Sequence, residues 1–157
     1  MENDEIFRTL NDLIATCQDG EAGFLEAAEG TRDARTRDVF LEHARARGRF
    51  ANELRVLAAE AGMRPRKSGP MTGALHRGWI HLREAVEGHD EGAIIAEVEH
   101  GEDAALEAYR RALGQDLPPG AREAVDRQYR QVLQAREQIR SMELRAHGGR
   151  MPPNQDY

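Results

Sequence analysis

Hydrophobic positions recur along this chain at three- and four-residue steps, the spacing of amphipathic helices, in four long segments and one shorter one. The first segment runs from about Glu5 to Glu29 and aligns Leu10, Leu13, Ile14, Cys17, Phe24 and Ala28 on one stripe. Gly30-Thr31-Arg32-Asp33 interrupts it, and Thr31 or Asp33 can cap the helix that follows. The second segment, from about Ala34 to Ala61, aligns Phe40, Ala44, Phe50, Leu54 and Leu57, and Gly62 and Pro65 stop it. An extended basic connection from Arg64 to Pro70 leads into a short amphipathic helix, about Met71 to Glu87, that turns Leu75, Trp79, Leu82 and Val86 inward. The third long segment, about Glu91 to Leu113, carries Ile95, Val98, Ala105, Leu106, Tyr109 and Leu113 on its stripe. The fourth, for which Pro119 can supply the first position, runs from about Ala121 to about Ala146 with Val125, Tyr129, Val132, Leu133 and Ile139 inward.

The short connections predict two antiparallel helix hairpins, and the long one between them must cross the bundle. That is the all-α, ferritin-like four-helix bundle, here with a short helix in its crossover. Residues 1–146 are expected to form this one domain, with 147–157 a disordered C-terminal tail. An internal echo agrees with two related hairpins: Gly20-Glu-Ala-Gly-Phe-Leu-Glu-Ala-Ala28 matches Gly101-Glu-Asp-Ala-Ala-Leu-Glu-Ala-Tyr109.

Composition narrows the function. At 39% hydrophobic and 32% charged over 157 residues, the chain suits one globular core. No apolar run reaches the roughly 20 residues of a membrane span, and Met1-Glu-Asn-Asp-Glu5 lacks the basic and apolar regions of a signal peptide. A cytoplasmic protein with no membrane partner is expected. A net charge of −6 and the acidic residues interleaved through Arg32 to Arg49 argue against nucleic acid. Cys17, the single cysteine, allows neither an intrachain disulfide nor a thiolate metal cluster, and reads as a core residue.

The chemistry lies in charges on apolar stripes, because ionised groups are rarely buried without a partner. Glu21 follows Cys17 by four residues, Glu102 follows Val98 by four, and the two are matched positions of the echo. A carboxylate from each of two helices is half of a carboxylate-bridged di-metal site, whose other half is a Glu-x-x-His pair on each remaining helix. Level with the two glutamates the other helices offer no such pair; they offer Arg47 and Arg136. An interior ionic core of Glu21, Arg47, Glu102 and Arg136, paired as Glu21–Arg47 and Glu102–Arg136 or crosswise, is therefore expected where metals would sit. As the alternative, Glu21, Glu102 and His43 are the candidate ligands for iron or another divalent metal.

The one literal Glu-x-x-His, Glu97 to His100, falls off the stripe and is expected to face solvent. Trp79 reads as the anchor of the crossover, and with His76 it marks a possible ligand cleft. Tyr109 and Tyr129 read as core aromatics whose hydroxyls reach a polar group.

Leu10-Asn-Asp-Leu13, Asp19-Gly-Glu-Ala-Gly-Phe24, Gly73-Ala-Leu-His-Arg-Gly-Trp79, Gly101 to Tyr109 and Leu117-Pro-Pro119 resemble a bacterial family catalogued as domain of unknown function 2383. The resemblance covers roughly Asn3 to Arg145. It implies a ferritin-like bundle similar to rubrerythrin, whose relatives bind two irons, with Glu21 and Glu102 in positions like the metal-binding glutamates. Arginine, phenylalanine or leucine stands where the remaining ligands belong, so the di-metal site reads as degenerate. The expected function is a non-enzymatic, stress-associated or scaffold module without a cofactor, able to form a homo-oligomer or bind a protein partner. The alternatives are a metal-binding or redox protein using Glu21 and Glu102, and a small-ligand-binding bundle.

Overall fold

Five helices account for the secondary structure of the described residues, 2–63 and 78–148, in the computed structural model. They are α1 (Glu2–Gly30), α2 (Ala34–Glu60), α3 (Leu82–Glu87), α4 (Glu91–Leu113) and α5 (Pro119–Gly148). Local chemistry sets their ends. Asp33 caps α2, its carboxylate accepting from Thr36 N at 2.9 Å and Thr36 Oγ1 at 2.7 Å. Asp90 caps α4 through Ala93 N at 3.1 Å, and Arg110 and Arg111 in its last turn oppose the helix dipole favourably. Glu91 at the start of α4 accepts from Thr31 Oγ1 and from Arg32 N, each at 2.5 Å, which fastens the α1–α2 turn to α4.

The four long helices form a ring: α1 packs on α2 and α4, and α5 packs on α4 and α2. Residue pairs fix their directions. Thr31–Glu91 and Cys17–Tyr109 link α1 to α4. His43–Gln138 and Glu53–Arg127 link α2 to α5, and Asp103–Arg136 and Tyr109–Gln128 link α4 to α5. In each set one partner's number rises as the other's falls, so ring neighbours are antiparallel. Consequently α2 and α4, joined by the long connection, run parallel on the diagonal.

The crossover helix is shorter at its described end than the periodicity predicts. Residues 78–81 are not helical, because Gly78 adopts φ 95°, a left-handed conformation open to glycine. Trp79 thus precedes α3 instead of lying within it. The expected start of that helix, with Leu75 and His76, lies outside the described residues, as do 149–157 of the tail. Trp79 is buried, and its indole lies against Gly23 of α1 and Gly101 of α4. Burying an indole of ~150–250 Å² stabilises by about 4–6 kcal/mol at most, enough to pin the crossover to the bundle.

Two hydrophobic clusters fill the interior. One contains Leu10 to Cys17, Phe50 to Ala58, Ala105 to Ala112 and Val125 to Val132; the other contains Phe24, Phe40, Ala44, Ile94 to Val98, Trp79 and Ile139. Between them every long helix contributes a middle layer. On α5 the buried line is Ala121, Val125, Gln128, Val132, Ala135, Ile139 and Met142, a step of four and three. Tyr129 and Leu133, expected inward, lie on its flank and are partly buried. Leu25, Val56, Ile80 and Leu144 are exposed on four different segments. No helix among the described residues is long and apolar enough to cross a membrane.

Candidate functional site

The middle layer is polar. Arg47 continues the buried line of α2, between Ala44 and Ala51, and extends into the bundle. Room for it comes from Gly20 on α1, where a Cβ would approach Arg47 Nη1 to 3.1 Å. Its guanidinium carbon lies 5.3 Å from the centroid of Phe24, a cation–π contact. Nη2 donates to Glu102 Oε2 at 2.5 Å, with the side chains 2% and 0% exposed. Burial alone would lower the Arg47 pKa, but the Glu102 charge and hydrogen bond outweigh it and hold the guanidinium above its ordinary value. The pair is monodentate: Arg47 Nη1 and Glu102 Oε1 are buried without a hydrogen-bond partner among the described residues.

A hydrogen-bonded chain leads from this layer to the surface. Tyr109 Oη donates to Gln128 Oε1 at 2.7 Å, so the thiol of Cys17, 3.2 Å away, donates to Tyr109. Gln128 Nε2 donates to Glu53 Oε1 at 2.8 Å, and Arg127 grips the same carboxylate through both terminal nitrogens. Burial pushes the Cys17 thiol up to about 11 and the Tyr109 hydroxyl well above its ordinary value. Both are neutral donors at physiological pH, and Cys17 is not a nucleophile.

The expected four-member ionic core does not assemble. Of the pairings expected, only the crosswise Arg47–Glu102 forms among the described residues. Glu21 is half-buried on the α1–α2 shoulder, where its carboxylate lies against Gly48; the inward position at that level of α1 is Gly20. Arg136, expected inside, is one residue past the buried Ala135, a rotation of about 100°. It leaves the interior and its Nε donates to Asp103 at 2.5 Å on the α4–α5 flank. Glu97, expected in solvent, is 4% exposed: it faces the crossover, accepting from His81 N at 2.7 Å and holding His100 Nδ1 at 3.0 Å.

The candidate metal ligands do not converge either. Glu102 is committed to Arg47. His43, half-buried against Phe24, shares a hydrogen bond of 2.8 Å with Gln138, and burial lowers its pKa. Among the described residues no three His, Cys, Asp or Glu side chains gather as a metal ion requires. The donor set does not fit a di-metal centre, and a guanidinium stands in the layer where one would lie. The cleft expected at His76 and Trp79 has its histidine outside the described residues, and Trp79 is sealed into the bundle.

The family model described as Domain of unknown function (DUF2383) matches residues 5–115. The chain belongs to that family. No curated protein matches it in sequence. The DUF2383 span takes in α1 to α4, and so includes Gly20, Arg47, Trp79, Gly101 and Glu102. Gln128 and Arg136 lie beyond it. The DUF2383 match therefore covers the ion pair and the tryptophan slot, but not the α5 end of the hydrogen-bonded chain.

Gln128 and Gly20 were missed by reasoning from apolar stripes. Neither adds hydrophobicity to a helix face, yet both occupy inward steps of the four-and-three pattern.

Proposed function

We propose that this chain is a metal-independent, non-enzymatic helical scaffold of ferritin-like arrangement, in which a buried Arg47–Glu102 pair takes the place of a di-metal centre. Support for the ferritin-like arrangement comes from the two hairpins, the parallel α2 and α4 on one diagonal and the single long crossover. The observation that carries the functional reading is the guanidinium at the middle layer, paired to a carboxylate with no exposed surface. A dication there would meet a fixed positive charge in a low-dielectric interior, and its best ligand would have to abandon Arg47. The neutral groups beside it suit cohesion: Tyr109 is hydrogen-bonded to both Gln128 and Cys17.

The test is elemental analysis of untagged protein, purified without chelator from cells grown with added iron, manganese and zinc. The expected result is metal far below stoichiometry. About one or two metals per chain, lost in Glu102→Ala, would overturn the reading in favour of a metal or redox protein.

A further inference from the structure

His43 stands on α2 at the seam with α5. Its ring packs on Phe24 of α1, centroid to centroid at 5.3 Å, and shares a 2.8 Å hydrogen bond with Gln138 of α5. One side chain thus joins three helices. Beside it a cleft of about 310 Å³ lies between α2 and α5, with the buried Phe50 and Ala135 at its floor and the exposed Gln131 and Gln134 at its rim.

The charged groups around the ring are Glu42, Arg47 and Arg49 on α2 and Glu102 on α4; α5 faces it with amides and α1 with Phe24. Glu102 is engaged by Arg47, whose guanidinium carbon lies 5.3 Å from the centroid of the same Phe24 ring. A proton on His43 would put a second cation against that ring at a half-buried position. Burial outweighs the Gln138 bond and the pull of Glu102, and holds the imidazole below its ordinary 6.5. In water the ring regains its ordinary proton affinity, so acid favours conformations in which His43 has left the seam.

We infer that His43 is an acid-released clasp: neutral, it ties α2 to α5 across Phe24, and protonated, it moves into water, frees Gln138 and uncovers the floor of the cleft. The clasp is complete above about pH 7 and weakens as pH falls through 6.5, by up to about tenfold per pH unit. The inference does not rest on the metal-independent reading.

Two measurements on the full chain test it. NMR titration of the native protein should place the His43 imidazole below 6.5. Hydrogen exchange, corrected for intrinsic rates, should show protection of residues 42–50 and 131–138 falling about threefold to tenfold from about pH 7.5 to about pH 5.5. In His43→Gln, whose amide can still bond Gln138 but does not titrate, the fall should be under about twofold. His43 titrating at or above 6.5, no fall in the native protein, or an equal fall in His43→Gln would overturn the inference.

Discussion

Trp79 and Gly101 are in contact so close that a Cβ on the glycine would sit 2.1 Å from Cε2 of the indole. Gly23 on α1 meets the other part of the same ring, and a Cβ there would approach it to 2.5 Å. The two glycines form a slot between α1 and α4 into which the chain inserts its single tryptophan on leaving the crossover. The neighbouring Glu97 fixes the next turn by accepting from His81 N.

Filling the slot should loosen the crossover. Gly101→Ala overpacks the indole against helical backbone, and a cost of about 1–3 kcal/mol is expected. Trp79→Ala removes the anchor and should cost about 3–5 kcal/mol. Urea unfolding gives both values, and a red shift of Trp79 emission in Gly101→Ala would report the displaced ring. Gly101→Ala with unchanged stability and emission would mean that the indole does not occupy the slot.

Arg136 and Arg47 separate a surface pair from an interior one. Arg136 and Asp103 are 23% and 48% exposed, so Arg136→Leu should change stability by less than about 1 kcal/mol. A loss as large as that of an interior arginine, measured by thermal unfolding, would place Arg136 inside after all.

The helices were legible because their stripes are long and periodic; all four long ones begin and end within a few residues of expectation. The register of each face was legible only where hydrophobicity marks it. Arg47 and Glu102 stand out as charges among apolar neighbours and are buried. On α1 the inward position is Gly20, which carries no hydrophobic signal, so the pattern points to the adjacent Glu21 instead. On α5 Gln128 sits inward and the more hydrophobic Tyr129 beside it does not, which turned the expected face by one residue and carried Arg136 with it. Glu97 escapes the pattern for another reason: the crossover that covers it comes from elsewhere in the chain, and a helix's own periodicity cannot show it.

Alkaline pH should weaken the fold through Cys17. The thiol pKa is about 11 in the fold against 9.0 for the ordinary group, so the folded state holds its proton more tightly. The corresponding stability is complete below about pH 9 and is lost as pH rises towards 11, on the order of 2–3 kcal/mol. Tyr109, also raised by burial, acts in the same direction at still higher pH. Urea midpoints from about pH 8 to about pH 11 should fall more steeply for the native sequence than for Cys17→Ala. Parallel declines would show that Cys17 makes no such contribution.

The most direct measurement is a double-mutant cycle on Arg47 and Glu102, followed by urea unfolding of protein treated with a chelator. Each of Arg47→Met and Glu102→Leu leaves one buried charge stranded and should cost about 3–5 kcal/mol. The double variant, which buries neither charge, should lose far less than the sum, and the chelator should leave the native sequence unaffected. Additive losses, single losses under about 1 kcal/mol, or native protein destabilised by the chelator would contradict a metal-independent ionic centre.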